Sequence, residues 1–218
     1  MAMRRLDAPD RPALLRALKR ERLHVEPRAL DQSPPQVRRR FAHVWAPADL
    51  LLAHLRAWPA GLIAFWLAAP AGHIVFSASP SAYLPGGLPW REGSLAAVAR
   101  LALADLVAED RPASEAVAHL VDHLLGSRGA GPGPWLSDGA GATADLRAVG
   151  ERLLELARLG YGPTEPRAYF AWAFSAYWLD RRALNVADPQ AERLLRTTLC
   201  DEAWWKTAGA TDYTNGHE

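Results

Sequence analysis

His119 and His123 stand four residues apart in the run Glu115-Ala116-Val117-Ala118-His119-Leu120-Val121-Asp122-His123. On an α-helix that spacing puts both imidazoles on one face. Two histidines at i and i+4 are also the skeleton of the zinc motif H-E-x-x-H. The glutamate that should follow the first histidine is missing, because position 120 is Leu. Glu115 extends the stripe to i, i+4, i+8, but its outer members lie roughly 12 Å apart along a straight helix axis, so the three cannot share one ion. A metal here would use Glu115 with His119, or His119 with His123, and a further donor such as His73 or Asp145. The plain alternative is one packed and one exposed histidine on an amphipathic helix.

Few other residue types suggest chemistry. Cys200 is the single cysteine, so neither an internal disulfide nor a cysteine-based zinc cluster can form. Ser137-Asp138 lies in a glycine-rich stretch without a G-x-S-x-G context, and no glycine cluster leads into G-K-[ST]. Nine tryptophans, at 45, 58, 66, 90, 135, 172, 178, 204 and 205, are mostly expected in the core, since indole buries a large area. Trp204-Trp205 either caps the last helix or anchors a partner.

Two stretches resemble the catalytic domain of the anthrax lethal factor family of zincin-like metallopeptidases, which includes the Pro-Pro endopeptidases. EAVAHLVDHLLG (115–126) is similar to the family's zinc helix, H-E-x-x-H-x-x-D with a leucine-rich end. In that register His119 takes the second zinc-histidine position and Asp122 the following aspartate. YGPTEPRAYFAWAF (161–174) is similar to the segment in which Tyr-Gly precedes a helix of the form E-[FY]-F-A-E-A-F. Tyr161 then matches the active-site tyrosine, and Tyr169-Phe170-Ala171 with Ala173-Phe174 match the helix. The resemblance covers about residues 60–200.

The departures fall on the reacting groups. Glu115 occupies the first zinc-histidine position, Ala116 the general-base position and Ala168 the third-ligand position, and Trp172 replaces the helix's second glutamate. A catalytic zinc needs three protein ligands, an open water position and a base for that water. Ala116 and Ala168 have no lone pair to offer. The resemblance therefore implies a degenerate, non-catalytic zincin-like domain with vestigial Glu115, Ala116, His119, Tyr161 and Ala168. Its cleft, with Asp122, His123 and Trp172, would bind a protein or peptide partner and no cofactor. Refilling of the old site predicts a buried Trp172 near His119 and a packed Tyr161 ring. The alternatives are an active zinc hydrolase with ligands shifted to Glu115, His119 and His123, and a nucleic-acid-binding protein.

The elements that would position these groups are helices for the most part. The chain has 218 residues, half of them hydrophobic and 22% charged, with a net charge of +1. That balance excludes wholesale disorder and a strongly basic nucleic-acid coat. Residues 1–40 hold eleven basic and five acidic side chains, and the segment 1–45 reads as a basic helical arm beginning at Asp10-Arg11-Pro12. A degenerate zincin-like domain is expected over 46–207 and a flexible tail over 208–218. Leu62–Ala68 and His73–Ser77 read as a hairpin. Helices are expected near 47–58 and over Ser94–Ala108, Pro112–Leu125, Thr143–Leu159, Thr164–Leu179 and Pro189–Leu199. The fold class predicted is α+β, mostly helical, with a small antiparallel sheet. No run reaches the ~20 apolar residues of a membrane span, and no signal-peptide core is legible, so a cytoplasmic location is expected.

Overall fold

A computed structural model describes residues 10–108 and 111–208. The fold is α+β and mostly helical. Helix α1 (Arg11–Arg22) leads into β1 (Leu23–Val25), then α2 (Ala29–Gln32), α3 (Pro35–Arg40), α4 (Ala46–Leu55) and α5 (Ala60–Ala68). Strands β2 (His73–Ser77), β3 (Ala82–Leu84), β4 (Leu88–Trp90), β5 (Gly93–Leu95) and β6 (Val98–Ala102) follow. The rest is helical: α6 (Leu103–Ala108), α7 (Arg111–Ser127), a 3-10 turn (Leu136–Asp138), α8 (Ala144–Ala157), α9 (Pro166–Leu179), α10 (Arg181–Ala187), α11 (Pro189–Thr197) and α12 (Glu202–Ala208).

The main sheet is mixed, a correction to the expected antiparallel one. Its order is β1-β2-β6-β3, with β1, β2 and β6 parallel and β3 antiparallel on the edge beside β6. After β2 the chain skips one position to lay down β3, makes the β4–β5 hairpin, and returns as β6 to fill the gap. Helix α7 packs on β6 and β3 from one side and on α9 from the other.

Two expected elements change type. Leu62–Ala68 is helical, so there is no hairpin with β2. The run AGLIAFWLA is apolar throughout, and a fully apolar run carries no period to separate buried helix from buried strand. Trp66 within it is 1% exposed and donates through Nε1 to the Gly72 carbonyl at 2.8 Å. Ser94–Ala108 is not one helix but β5, β6 and α6. Its Ala and Leu favour helix, yet Val98–Ala102 sits between β2 and β3, where ladders on both edges satisfy its backbone.

Other boundaries follow side-chain caps. Thr143 accepts from the Leu146 N–H at the start of α8, Glu165 from Ala168 at α9, and Asp188 from Gln190 and Ala191 at α11. From residue 10 onward the basic arm is built into the body: Leu18, Leu23 and Val37 are buried, and β1 hydrogen-bonds β2, while residues 1–9 of the expected arm lie outside the described residues. Trp205 is buried, with Nε1 on the Leu199 carbonyl at 2.9 Å. Residues 209–218 of the expected tail lie outside the described residues. Among the described residues no helix is long and apolar enough to cross a membrane.

Candidate functional site

The site forms where α7 meets the loop between Ser127 and α8. That loop lies directly on helix backbone because two helix positions lack a Cβ. A Cβ on Gly126 of α7 would stand 2.4 Å from the Pro134 carbonyl oxygen and 2.5 Å from the Trp135 carbonyl carbon. One on Gly150 of α8 would stand 2.4 Å from the Leu136 oxygen and 2.5 Å from that of Ala140. The loop is thus clamped between two helices at glycine contacts. Asp122, fully buried on α7, fixes its register by accepting from the Ser137 N–H at 2.8 Å and the Ser137 hydroxyl at 2.6 Å.

Fixed this way, the loop aims Trp135 at the histidines. The His123 ring stacks on Trp135 with centroids 5.0 Å apart and planes 15° from parallel. His119 meets Trp135 edge-on at 5.9 Å. Tyr83 of the edge strand β3 completes the group, edge-on to Trp135 at 5.3 Å. The Tyr83 hydroxyl and His123 Nδ1 are 2.5 Å apart. Phenol is the stronger acid and imidazole the stronger base, so the hydroxyl donates, and the His123 ring proton resides on Nε2. Arg167, in the first turn of α9, lies 4.4 Å above the Trp135 ring and donates to Asp138 at 2.8 and 3.3 Å.

Burial sets the charge states. His123 is pushed below the ordinary histidine value by burial, with Arg167 adding to the effect. His119 is lowered by burial; Glu165 opposes this and Arg167 reinforces it. Burial also pushes Tyr83 upward, with help from Asp122. Asp122 is raised to about 8, because desolvation outweighs the two Ser137 hydrogen bonds. The cluster is neutral and aromatic near pH 7, with an arginine over one ring.

The expected site residues are divided among different surroundings. His119 and His123 are together, as the helical spacing requires. Asp122 and His123, expected to line a cleft, are both fully buried, Asp122 as a loop anchor. Glu115 stands one turn before His119 on the same helical stripe, where it shares a hollow of about 310 Å³ with Trp172 and with residues of α10. Trp172 is half-buried, its ring against Gly162 and Tyr169. The expected packing of Tyr161 does not occur; it is 53% exposed. Ala116 is buried, and Ala168 is a half-buried first-turn residue whose N–H is capped by Glu165. Tyr169 is fully buried and donates to Asp188 at 2.6 Å.

Among the described residues no three His, Cys, Asp or Glu side chains converge closely enough to hold a metal ion. His123 Nδ1 is engaged by Tyr83, and His123 Nε2 and His119 Nδ1 are buried with no hydrogen-bond partner among the described residues. His73 bonds His24 at 3.0 Å between β1 and β2, and Asp145 is exposed on α8.

Sequence reasoning missed Tyr83 and Arg167 and placed Trp135 only as core. Trp135 follows Gly-Pro-Gly-Pro, an expensive place to leave an indole unless the loop packs, and that was the usable signal. Tyr83 and Arg167 carried none. No protein-family model matches the chain significantly, and neither does any curated protein or solved structure.

Proposed function

We propose that this chain is a non-catalytic, metallopeptidase-like binding domain that takes an extended peptide beside β3. The observation that carries the reading is the commitment of His119 and His123 to an aromatic cluster with Tyr83 and Trp135, while Ala116 and Ala168 occupy the resemblance's base and third-ligand positions. Strand β3 supports the peptide part. It is the edge of the main sheet, so one side of it is open to backbone pairing, and Tyr83 ties that edge to α7. Zincin-like affiliation rests on the resemblance of 115–126 and 161–174 and is part of the proposal, as is a cytoplasmic setting.

The test is a display selection for linear peptides against the purified chain. Selected peptides should lose affinity at least tenfold when alternate backbone nitrogens are methylated, because strand addition depends on main-chain hydrogen bonds. Binders insensitive to methylation, or a chain that retains stoichiometric zinc through dialysis and cleaves them, would overturn the reading. For the nucleic-acid alternative, part of the arm's basic charge is already engaged within the fold. Arg11 pairs with Glu202, Lys19 with Asp49 and Arg20 with Glu21, and Arg22 donates to the carbonyls of Leu67 and Ala69.

A further inference from the structure

Helix α7 has a second face. Ala113 and Val117 lie roughly a third of a turn around the helix from His119 and His123. They close a hollow of about 360 Å³ between α4, α6, α7 and α9. Leu51, Leu55, Trp58, Leu101, Phe174 and Trp178 supply most of its wall. Trp58 and Trp178 stack there at 5.7 Å and 27°, with Phe174 edge-on to Trp58 at 5.3 Å. The volume is within the roughly 300–1,000 Å³ range of small-molecule sites, which join an apolar lining to a few polar groups.

Two polar atoms in this wall are unsatisfied. Trp178 Nε1 and Ser175 Oγ are buried and have no hydrogen-bond partner among the described residues, and the whole Ser175 residue is only 6% exposed. An orphaned buried donor is disfavoured by about 1–3 kcal/mol, so such groups in a native fold call for a partner. An indole N–H only donates, whereas a serine hydroxyl does both. The missing partner must therefore bring an acceptor. Among the described residues the polar side chains at the hollow include Asp105, whose carboxylate accepts from the Ser81 hydroxyl at 2.5 Å, and His54 on the exposed rim. Among the described residues neither arginine nor lysine lines it. A carboxylate head would meet the Asp105 carboxylate.

We propose that this hollow binds an uncharged amphiphile. Its hydrocarbon body lies among the leucines and the Trp58–Trp178–Phe174 group. Its hydroxyl or carbonyl oxygen accepts from Trp178 Nε1, with Ser175 as the second hydrogen-bonding group, after a small side-chain shift that uncovers both atoms. This site is independent of the peptide-binding proposal, since it uses a different face of α7 and shares no lining residue with the histidine cluster.

Calorimetry on the full chain tests it, using primary alcohols and N-methyl amides of six to twelve carbons beside the matching carboxylates. Alcohols and amides should bind, and carboxylates at least tenfold more weakly. Trp178→Phe keeps the ring and removes the N–H, and should weaken alcohol binding about fivefold or more. Val117→Trp fills the hollow and should abolish it. Circular dichroism and a thermal melt identify a variant that has failed to fold; Ser175→Ala, which removes one small hydroxyl, then serves as the second reading and should also weaken binding. The proposal is overturned if no alcohol or amide binds, if carboxylates bind equally well, or if Trp178→Phe and Ser175→Ala both retain full affinity.

Discussion

Asp122 shows how one side chain sets the site without facing it. Its carboxyl holds both polar groups of Ser137 and thereby the loop that presents Trp135. Asp122→Ala should destabilise the fold by about 1–3 kcal/mol for each donor left unmet, measured by urea unfolding. The pH dependence has a definite sign. The folded value of about 8 is above the unfolded value of 3.8, so the folded state holds the proton more tightly. This group's contribution is complete below about pH 4 and is lost as pH rises toward 8. Asp122→Asn, which cannot ionise, should flatten the decline between pH 4 and 8; an unchanged slope would assign that decline elsewhere. Tyr83→Phe should cost about 1–2 kcal/mol, because it strands a buried imidazole nitrogen. The i, i+4 histidines were legible in sequence because helical spacing is local. Their partners were not, since Tyr83 and Arg167 lie 36 and 48 positions from His119 and meet it only through the packing of β3 and α9.

At the scale of elements, the clamp between α7 and α8 gives a test that runs against propensity. Gly→Ala in a helix interior ordinarily stabilises by about 1 kcal/mol. Gly126→Ala and Gly150→Ala should instead destabilise by several kcal/mol, because the new methyl would meet backbone atoms within 2.6 Å that cannot move aside alone. A raised melting temperature for either variant would contradict the clamp. Trp172 belongs to this scale as well. It covers Gly162 yet lines an open hollow with Glu115, so Trp172→Ala should cost about 2 kcal/mol rather than the ~3–5 typical of a fully buried tryptophan. Helices with caps and amphipathic faces were readable from the residues, as Thr143 and Asp188 illustrate. Leu62–Ala68 and Val98–Ala102 were not: the first is an apolar run that suits either state, the second is rich in Ala and Leu that favour helix, and their neighbours decided both.

At the scale of the molecule, four imidazoles are held neutral by burial: His24, His73, His119 and His123 all lie below the ordinary value, His73 at about 4. A depressed folded value means that protonation favours the unfolded chain. Stability should therefore fall as pH drops from about 6.5 toward 4, opposing the Asp122 trend, and a melting series across that window reads it. Removal of residues 1–40 should unfold the chain rather than trim an arm, because it takes β1 from the sheet and Leu18 and Val37 from the core. Retention of cooperative melting would contradict this. By itself the sequence determined a mostly helical α+β chain, the helix carrying His119 and His123, and side chains without a lone pair at Ala116 and Ala168, since composition, helical period and residue identity are local properties. Tertiary structure alone decided the parallel core of the sheet, the place of the basic segment within it, and the pairing of Tyr83 and Trp135 with His123. Those depend on which distant backbones can approach and bury one another, and no local pattern encodes that.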